Sequence, residues 1–217
     1  MQNKTMLENP IVKKELPGKW TDNGFISSKM VIINDQMGFD LDLQYPKMSI
    51  KNAVNTCFVR KELLERLIIA KGFLPKGYIF KIYDTWRPMS LQEELYESYS
   101  TLIADQYDLE SMPEEEREAF LSGFVSPPVH ERDNPPVHTT GGAIDLTIID
   151  SSGNELTMGT AFDEFTDKTH TAYFENTQES EIIYNRRMLY NSMIKAGFTN
   201  LPTEWWHYDY GDKFWAY

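Results

Sequence analysis

Between Pro135 and Asp150 the chain reads Pro-Pro-Val-His-Thr-Thr-Gly-Gly-Ala-Ile-Asp-Leu-Thr-Ile-Ile-Asp, and this stretch restricts the fold more than any other. A proline-bounded loop carries His138, two glycines follow, and the β-branched, apolar run from Ala143 to Ile149 reads as a buried strand. Asp145 lies inside that strand among Ala143, Ile144, Leu146 and Ile148. An ionised carboxylate there is costly unless it is paired or bound to a metal. Two readings stand at this point. Asp145 is a salt-bridged or hydrogen-bonded core aspartate, or Asp145 and His138 hold one cation, with Gly141 and Gly142 letting the backbone turn between them.

A second stretch near the end, Pro202-Thr203-Glu204-Trp205-Trp206-His207-Tyr208-Asp209-Tyr210-Gly211, supplies another imidazole and another carboxylate. Two histidines and one aspartate leave an open position on tetrahedral Zn²⁺, the pattern of a catalytic zinc site. The donor set His138, Asp145 and His207 favours zinc over the all-oxygen shells of magnesium or calcium. Glu204, if unligated, is placed to act as a general base toward water. In a regular strand Glu204 and His207 would face opposite sides, so the pairing requires a bend or bulge. The aromatics here also fit a simply packed C-terminal strand. Arg87, between Trp86 and Pro88 at a strand end, is either ion-paired with Asp84 or a fixed guanidinium in a pocket. His130 and His170 stand in polar surroundings and read as surface residues.

The remaining chain suits one α+β domain: a central, mostly antiparallel sheet flanked by helices, with the zinc site at the sheet. Residues 1–30 read as an N-terminal arm and 31–217 as the domain. Strands are expected at Met30–Ile33, Gly77–Tyr83 and around Glu204–His207, with an edge strand or extended segment from Gly38 to Tyr45. Helices are expected over Arg60–Lys71 with Gly72 at its stop, after a Ser90/Glu93 capping box, after a Ser111/Glu114 capping box, and over Glu181–Ala196 ending at Gly197. Asp150 to Asn154 is a turn cluster, and Met158 to Thr171 a loop whose phenylalanines could wall a pocket.

A formal net charge of −12 argues against a nucleic-acid or anionic-membrane partner and is compatible with a small zwitterionic substrate. The single cysteine, Cys57, leaves no internal disulfide and no Cys-based zinc site, and reads as a small buried residue. The first residues carry no apolar signal core, and no run reaches membrane-span length, so a cytoplasmic protein is expected.

His138 to Asp145 fits H-x6-D, and Glu204 to His207 fits E-x-x-H. Further along are Tyr83-Asp84-Thr85-Trp86-Arg87-Pro88, Met158-Gly159-Thr160-Ala161-Phe162-Asp163, Asn185-Arg186-Arg187 and Ala196-Gly197-Phe198. With these motifs, in order from about Asp40 to the end, the chain resembles the zinc D-Ala-D-Ala peptidases. Within them it is similar to the D-alanyl-D-alanine dipeptidases, the group that includes the vancomycin-resistance dipeptidase. The resemblance implies one Zn²⁺ per chain on His138, Asp145 and His207, with Glu204 as general base and Arg87 stabilising the oxyanion. It implies that Asp163 holds the free amine of a small dipeptide, a task adjacent Glu164 could also perform, with Trp86 and Phe162 at the substrate. Many relatives carry Ser where this chain has Pro136, and Thr139 or Thr140 could supply the hydroxyl instead. The rivals are a D,D-carboxypeptidase or peptidoglycan endopeptidase on the same zinc core, and a non-catalytic zinc-fold binding module. Oligomeric state is left open.

Overall fold

The computed structural model describes residues 7–14, 28–130 and 134–216. The expected core strand forms as β5 (Ala143–Ile149), the middle of a five-stranded sheet. The other members are β2 (Asp40–Leu41), β4 (Ile79–Asp84), β6 (Thr199–Asn200) and β7 (His207–Asp209), in the order β2-β4-β5-β7-β6. Only the β2–β4 pairing is parallel, so the architecture is α+β with a mostly antiparallel sheet. A separate two-stranded antiparallel ribbon joins β1 (Met30–Ile33) to β3 (Cys57–Arg60). The helices are α1 (Gln44–Lys47), α2 (Lys61–Lys71), α3 (Met89–Tyr107), α4 (Glu114–Leu121), α5 (Val137–Thr140), α6 (Ser180–Lys195) and α7 (Lys213–Ala216).

Because side chains alternate along a strand, β5 presents Ile144, Leu146 and Ile148 to one face and Asp145 to the other. The apolar face joins Phe80 and Ile82 of β4, Leu63, Leu64 and Leu67 of α2, and Met188, Leu189 and Met193 of α6 in the main core. Leu63 and Leu67 are fully buried, and each such leucine stabilises the fold by roughly 1.5–3 kcal/mol. Cys57 is buried in the same cluster. A second cluster, Ile103, Leu109, Leu121, Val125 and Phe165, joins α3 to α4 and the segment after it.

Several local expectations need correction. Neither capping box forms: α3 follows Pro88 and α4 follows Pro113, with no side-chain cap at either. Extended backbone at the proline already sets the helix entry, and Pro88 O accepts the amides of Leu91 and Gln92. Gly38 to Tyr45 pairs over only Asp40–Leu41 before turning into α1. Gly72 has φ −64°, so α2 stops without a left-handed residue, whereas Gly197 does take φ +97° just beyond α6. His138 lies in the short helix α5 rather than a loop. Of the expected arm, residues 1–6 and 15–27 lie outside the described residues. Residues 7–14 run along α6, where Arg187 donates to Leu7 O and Ile11 N donates to Glu175.

Candidate metal centre and active site

The face of the sheet opposite the main core carries one polar rung across three strands. Asp145 of β5 pairs in register with His207 of β7 on one side and with Asp84 of β4 on the other. A register shift between Ile82 and Asp84 makes the second pairing possible. It leaves Tyr83 as the extra residue and turns Asp84 onto the rung, as a β-bulge does. His138 reaches the rung from α5. Gly141, at φ +76°, ends that helix, and a Cβ there would collide with the Met30 side chain.

The hydrogen bonds orient both imidazoles. His138 Nδ1 donates to Thr85 O at 2.7 Å, which turns Nε2 toward the rung. His207 Nε2 lies 2.9 Å from Asp209 Oδ1, which leaves Nδ1 facing inward. The two inward nitrogens are 3.2 Å apart, His207 Nδ1 is 2.9 Å from Asp145 Oδ1, and His138 Nε2 is 3.3 Å from Asp145 Oδ2. A tetrahedral Zn²⁺ with bonds of about 2.0–2.1 Å has ligand–ligand edges of about 3.3 Å. These separations lie near that figure, and the three residues each offer a ligand atom within 4.8 Å of the others. All three residues are buried, and both histidines have their outer nitrogens anchored to acceptors, as ligating imidazoles do. Burial alone would raise the Asp145 carboxyl, but the two histidines hold it well below the usual carboxylate range.

Glu204 precedes β7 in a turn in which its amide donates to Leu201 O and its carbonyl accepts from His207 N. That turn is the bend the E-x-x-H spacing required. Asn200 holds it from behind, donating Nδ2 to Glu204 O and His207 O. The Glu204 carboxylate lies 3.8 Å from His207 Nδ1 and keeps about a fifth of its surface exposed. Burial pushes its pKa up to about 8, helped by Asp145 and Asp163 and opposed by His207 and Arg87.

Arg87 satisfies both expectations made of it. Nε donates to Asp84 at 2.5 Å, and Nη2 donates to Tyr45 Oη and, at 3.4 Å, to Asp145 Oδ2. The guanidinium also lines a small cavity of about 40 Å³ together with His138, His207, Glu204 and Asp163. Asp163 adopts φ +54°, in the left-handed region that asparagine and aspartate tolerate best. Tyr45 and Tyr99 both donate to its Oδ2, at 2.9 and 2.8 Å. Burial pushes the Asp163 carboxyl up to about 7, against the lowering effect of Arg87 and the two hydroxyls. Glu164 faces its own loop instead, accepting from Ala161 N and Thr166 Oγ1.

That loop is fastened by Asn185-Arg186 of α6. Arg186 is buried and donates to the carbonyls of Met158, Lys168 and His170, while Asn185 donates to Thr157 O. Trp86 and Phe162 are not among the residues that wall the cavity. Trp86 donates its indole N–H to Thr139 O, and Phe162 packs between Tyr83 and Trp206. Leu95, Phe124, Val125 and Phe214 form the apolar wall instead. Thr139 and Thr140 donate their hydroxyls to Pro136 O and Val137 O within the turns of α5, so neither replaces a serine at position 136. His130 is exposed beside Glu93, and half-buried His170 stands apart from the metal cluster. Sequence reasoning missed Tyr45, Tyr99, Gln92 and Asp209. Only Asp209 carried a signal, since it lies two residues past His207 on the same strand face.

The family description "D-ala-D-ala dipeptidase" matches residues 45–217. A D-alanyl-D-alanine dipeptidase of Synechocystis is 28% identical over 150 residues, covering 63% of this chain and 61% of that protein. One from Escherichia coli is 40% identical over 72 residues, covering 33% of this chain and 36% of that protein. The chain thus spans about three fifths of the first curated relative's length and little more than a third of the second's. Among solved structures, a vancomycin-resistance D,D-pentapeptidase, VanY, in complex with Zn(II) aligns over 76% of this chain and 80% of its own, at 15% identity and TM-score 0.42. VanYB in complex with D-alanine-D-alanine aligns over 76% of this chain and 78% of its own, at 14% identity and the same score. With the family match running from α1 to the last residue, and every motif of the centre inside it, the chain belongs to the D-Ala-D-Ala dipeptidase family.

Proposed function

We propose that the protein hydrolyses D-alanyl-D-alanine, or a close D,D-dipeptide, to free amino acids, with one Zn²⁺ per chain. The observation that carries this reading is Asp163. Both tyrosine hydroxyls bind its Oδ2, so among the described residues Oδ1 has no donor, and the carboxyl lines the same cavity as His138 and His207. A carboxylate whose charge is penalised by burial is stabilised by an incoming ammonium, and a free dipeptide brings one where an extended peptide stem does not.

His138 Nε2, His207 Nδ1 and Asp145 would hold the ion. When bound, Zn²⁺ supplies Lewis acidity toward water and the scissile carbonyl. Glu204 takes the proton of the attacking water at its carboxylate and returns it to the nitrogen of the leaving amine. Arg87 donates from Nη1 to the carbonyl oxygen as negative charge grows there. Asp163 Oδ1 accepts an N–H of the substrate ammonium and fixes the register of the peptide bond. Leu95, Phe124, Val125 and Phe214 keep bulk water from the reacting atoms. A non-catalytic zinc module would need neither Glu204 nor Arg87 at this cavity.

The test is free D-alanine released from D-Ala-D-Ala and from acetyl-D-Ala-D-Ala, each with and without a chelator. Chelator-sensitive release from the free dipeptide alone is the expected result. Equal cleavage of the acetylated compound would move the protein to the carboxypeptidase reading, and no release from either by the zinc-bound protein would leave a binding module.

A further inference from the structure

The inner face of α3 bears Gln92, Leu95 and Tyr99 at helical spacing, and all three line the cavity. Tyr99 engages Asp163. Gln92 is only 1% exposed, yet both ends of its carboxamide are bonded. Oε1 accepts from Arg87 Nη1 at 3.2 Å, and Nε2 donates to Ser126 O at 2.7 Å. Among the described residues Gln92 is the one hydrogen-bond partner of Arg87 Nη1. Nε and Nη2 are taken by Asp84, Tyr45 and Asp145, so the direction of the remaining Nη1 N–H is set through Gln92.

Ser126 follows Phe124 and Val125, the part of the cavity wall that arrives from α4 rather than from the sheet. Among the described residues, two polar contacts tie 122–130 to the body of the molecule. One is the buried Gln92–Ser126 bond, and the other is the exposed His130–Glu93 pair, a kind of contact that holds little. We propose that Gln92 is a positioning residue for Arg87, and that it links the seating of the 122–126 wall to the aim of the guanidinium. The inference rests on the proposed peptidase function for its kinetic half only.

Two variants of the zinc-loaded full chain test it, each followed by D-Ala-D-Ala turnover, thermal midpoint and amide hydrogen exchange over 122–126. Gln92→Met keeps the length and removes both bonds. A misaimed group in an active site lowers turnover by up to about 100-fold, so kcat is expected to fall roughly 10- to 100-fold, with KM changed less than about threefold. Exchange across 122–126 is expected to rise at least about tenfold. Gln92→Glu keeps an acceptor for Arg87 and loses the donor to Ser126 O, so exchange rises as in the first variant while kcat falls less. Wild-type exchange in both variants, or wild-type kcat in Gln92→Met, overturns the inference. If Gln92→Met does not fold, Gln92→Glu decides on the same two readouts. A wild-type protein inert toward the dipeptide refutes the proposed function instead, and the exchange comparison still decides whether Gln92 seats the wall.

Discussion

Asp163→Asn should make the protein more stable and less active, and the size of the first effect follows from where the carboxyl sits. Its pKa is raised from 3.8 to about 7, chiefly by burial. Below pH 3.8 the folded and unfolded chains both carry the proton, and no penalty exists. From there to about 7 the unfolded chain releases the proton while the folded chain retains it, so stability falls as pH rises, by about 1.4 kcal/mol per unit. Above 7 the loss is complete. Between pH 5 and pH 8 the wild type should therefore lose at most about 2.5–3 kcal/mol that the asparagine variant keeps. Asparagine tolerates the φ of +54° at this position, and its carbonyl can accept from the two tyrosines, so little else changes. Urea unfolding of both proteins in chelator, at pH 5 and pH 8, measures the gap. Parallel losses, or a gap that narrows with pH, would refute the reasoning that Asp163 is a buried carboxyl held for a cationic ligand. In the zinc-loaded protein the same substitution removes a charge-assisted bond worth about 1.5–3 kcal/mol, so KM for D-Ala-D-Ala should rise roughly 10- to 150-fold.

Two further outcomes concern the metal. Glu204→Gln should lower turnover by about 10²- to 10⁴-fold while zinc stays near one per chain by metal analysis, and loss of zinc would make Glu204 a ligand or a structural residue. Asp209→Asn weakens the acceptor behind His207 Nε2, so zinc affinity measured by chelator competition should fall about 10- to 100-fold, and unchanged affinity would deny Asp209 that role.

Where function depends on short spacing along a strand, the sequence was informative. Ala143 to Ile149 read as a buried strand because every residue in it but Asp145 suits one, and that misfit is the residue the site is built on. The required bend before His207 was likewise legible, since period-two alternation forbids Glu204 and His207 from sharing a face. Both helix starts were misread because Ser90 and Ser111 resemble caps, while proline-fixed backbone two residues away sets the entry. The amine-reading corner was illegible for another reason. Tyr45 and Tyr99 meet Asp163 across separations of 118 and 64 residues, and no local pattern marks two of twelve tyrosines as belonging there. Trp86 and Phe162, implied at the substrate by the resemblance, turn elsewhere, the indole N–H to Thr139 O and the phenyl ring between Tyr83 and Trp206.

The polar rung that joins β4, β5 and β7 also orders events in time. His207 meets Asp145 across 62 residues and His138 across 69, and β7 follows β5 in the chain with α6 between them. During synthesis from the N-terminus, the sheet can acquire β4 and β5 while β7 is still inside the ribosome. A three-donor site cannot exist until that strand emerges and docks. Capture of the ion then waits for β7, and a chain stalled or cut before His207 is left with two donors and no competent centre.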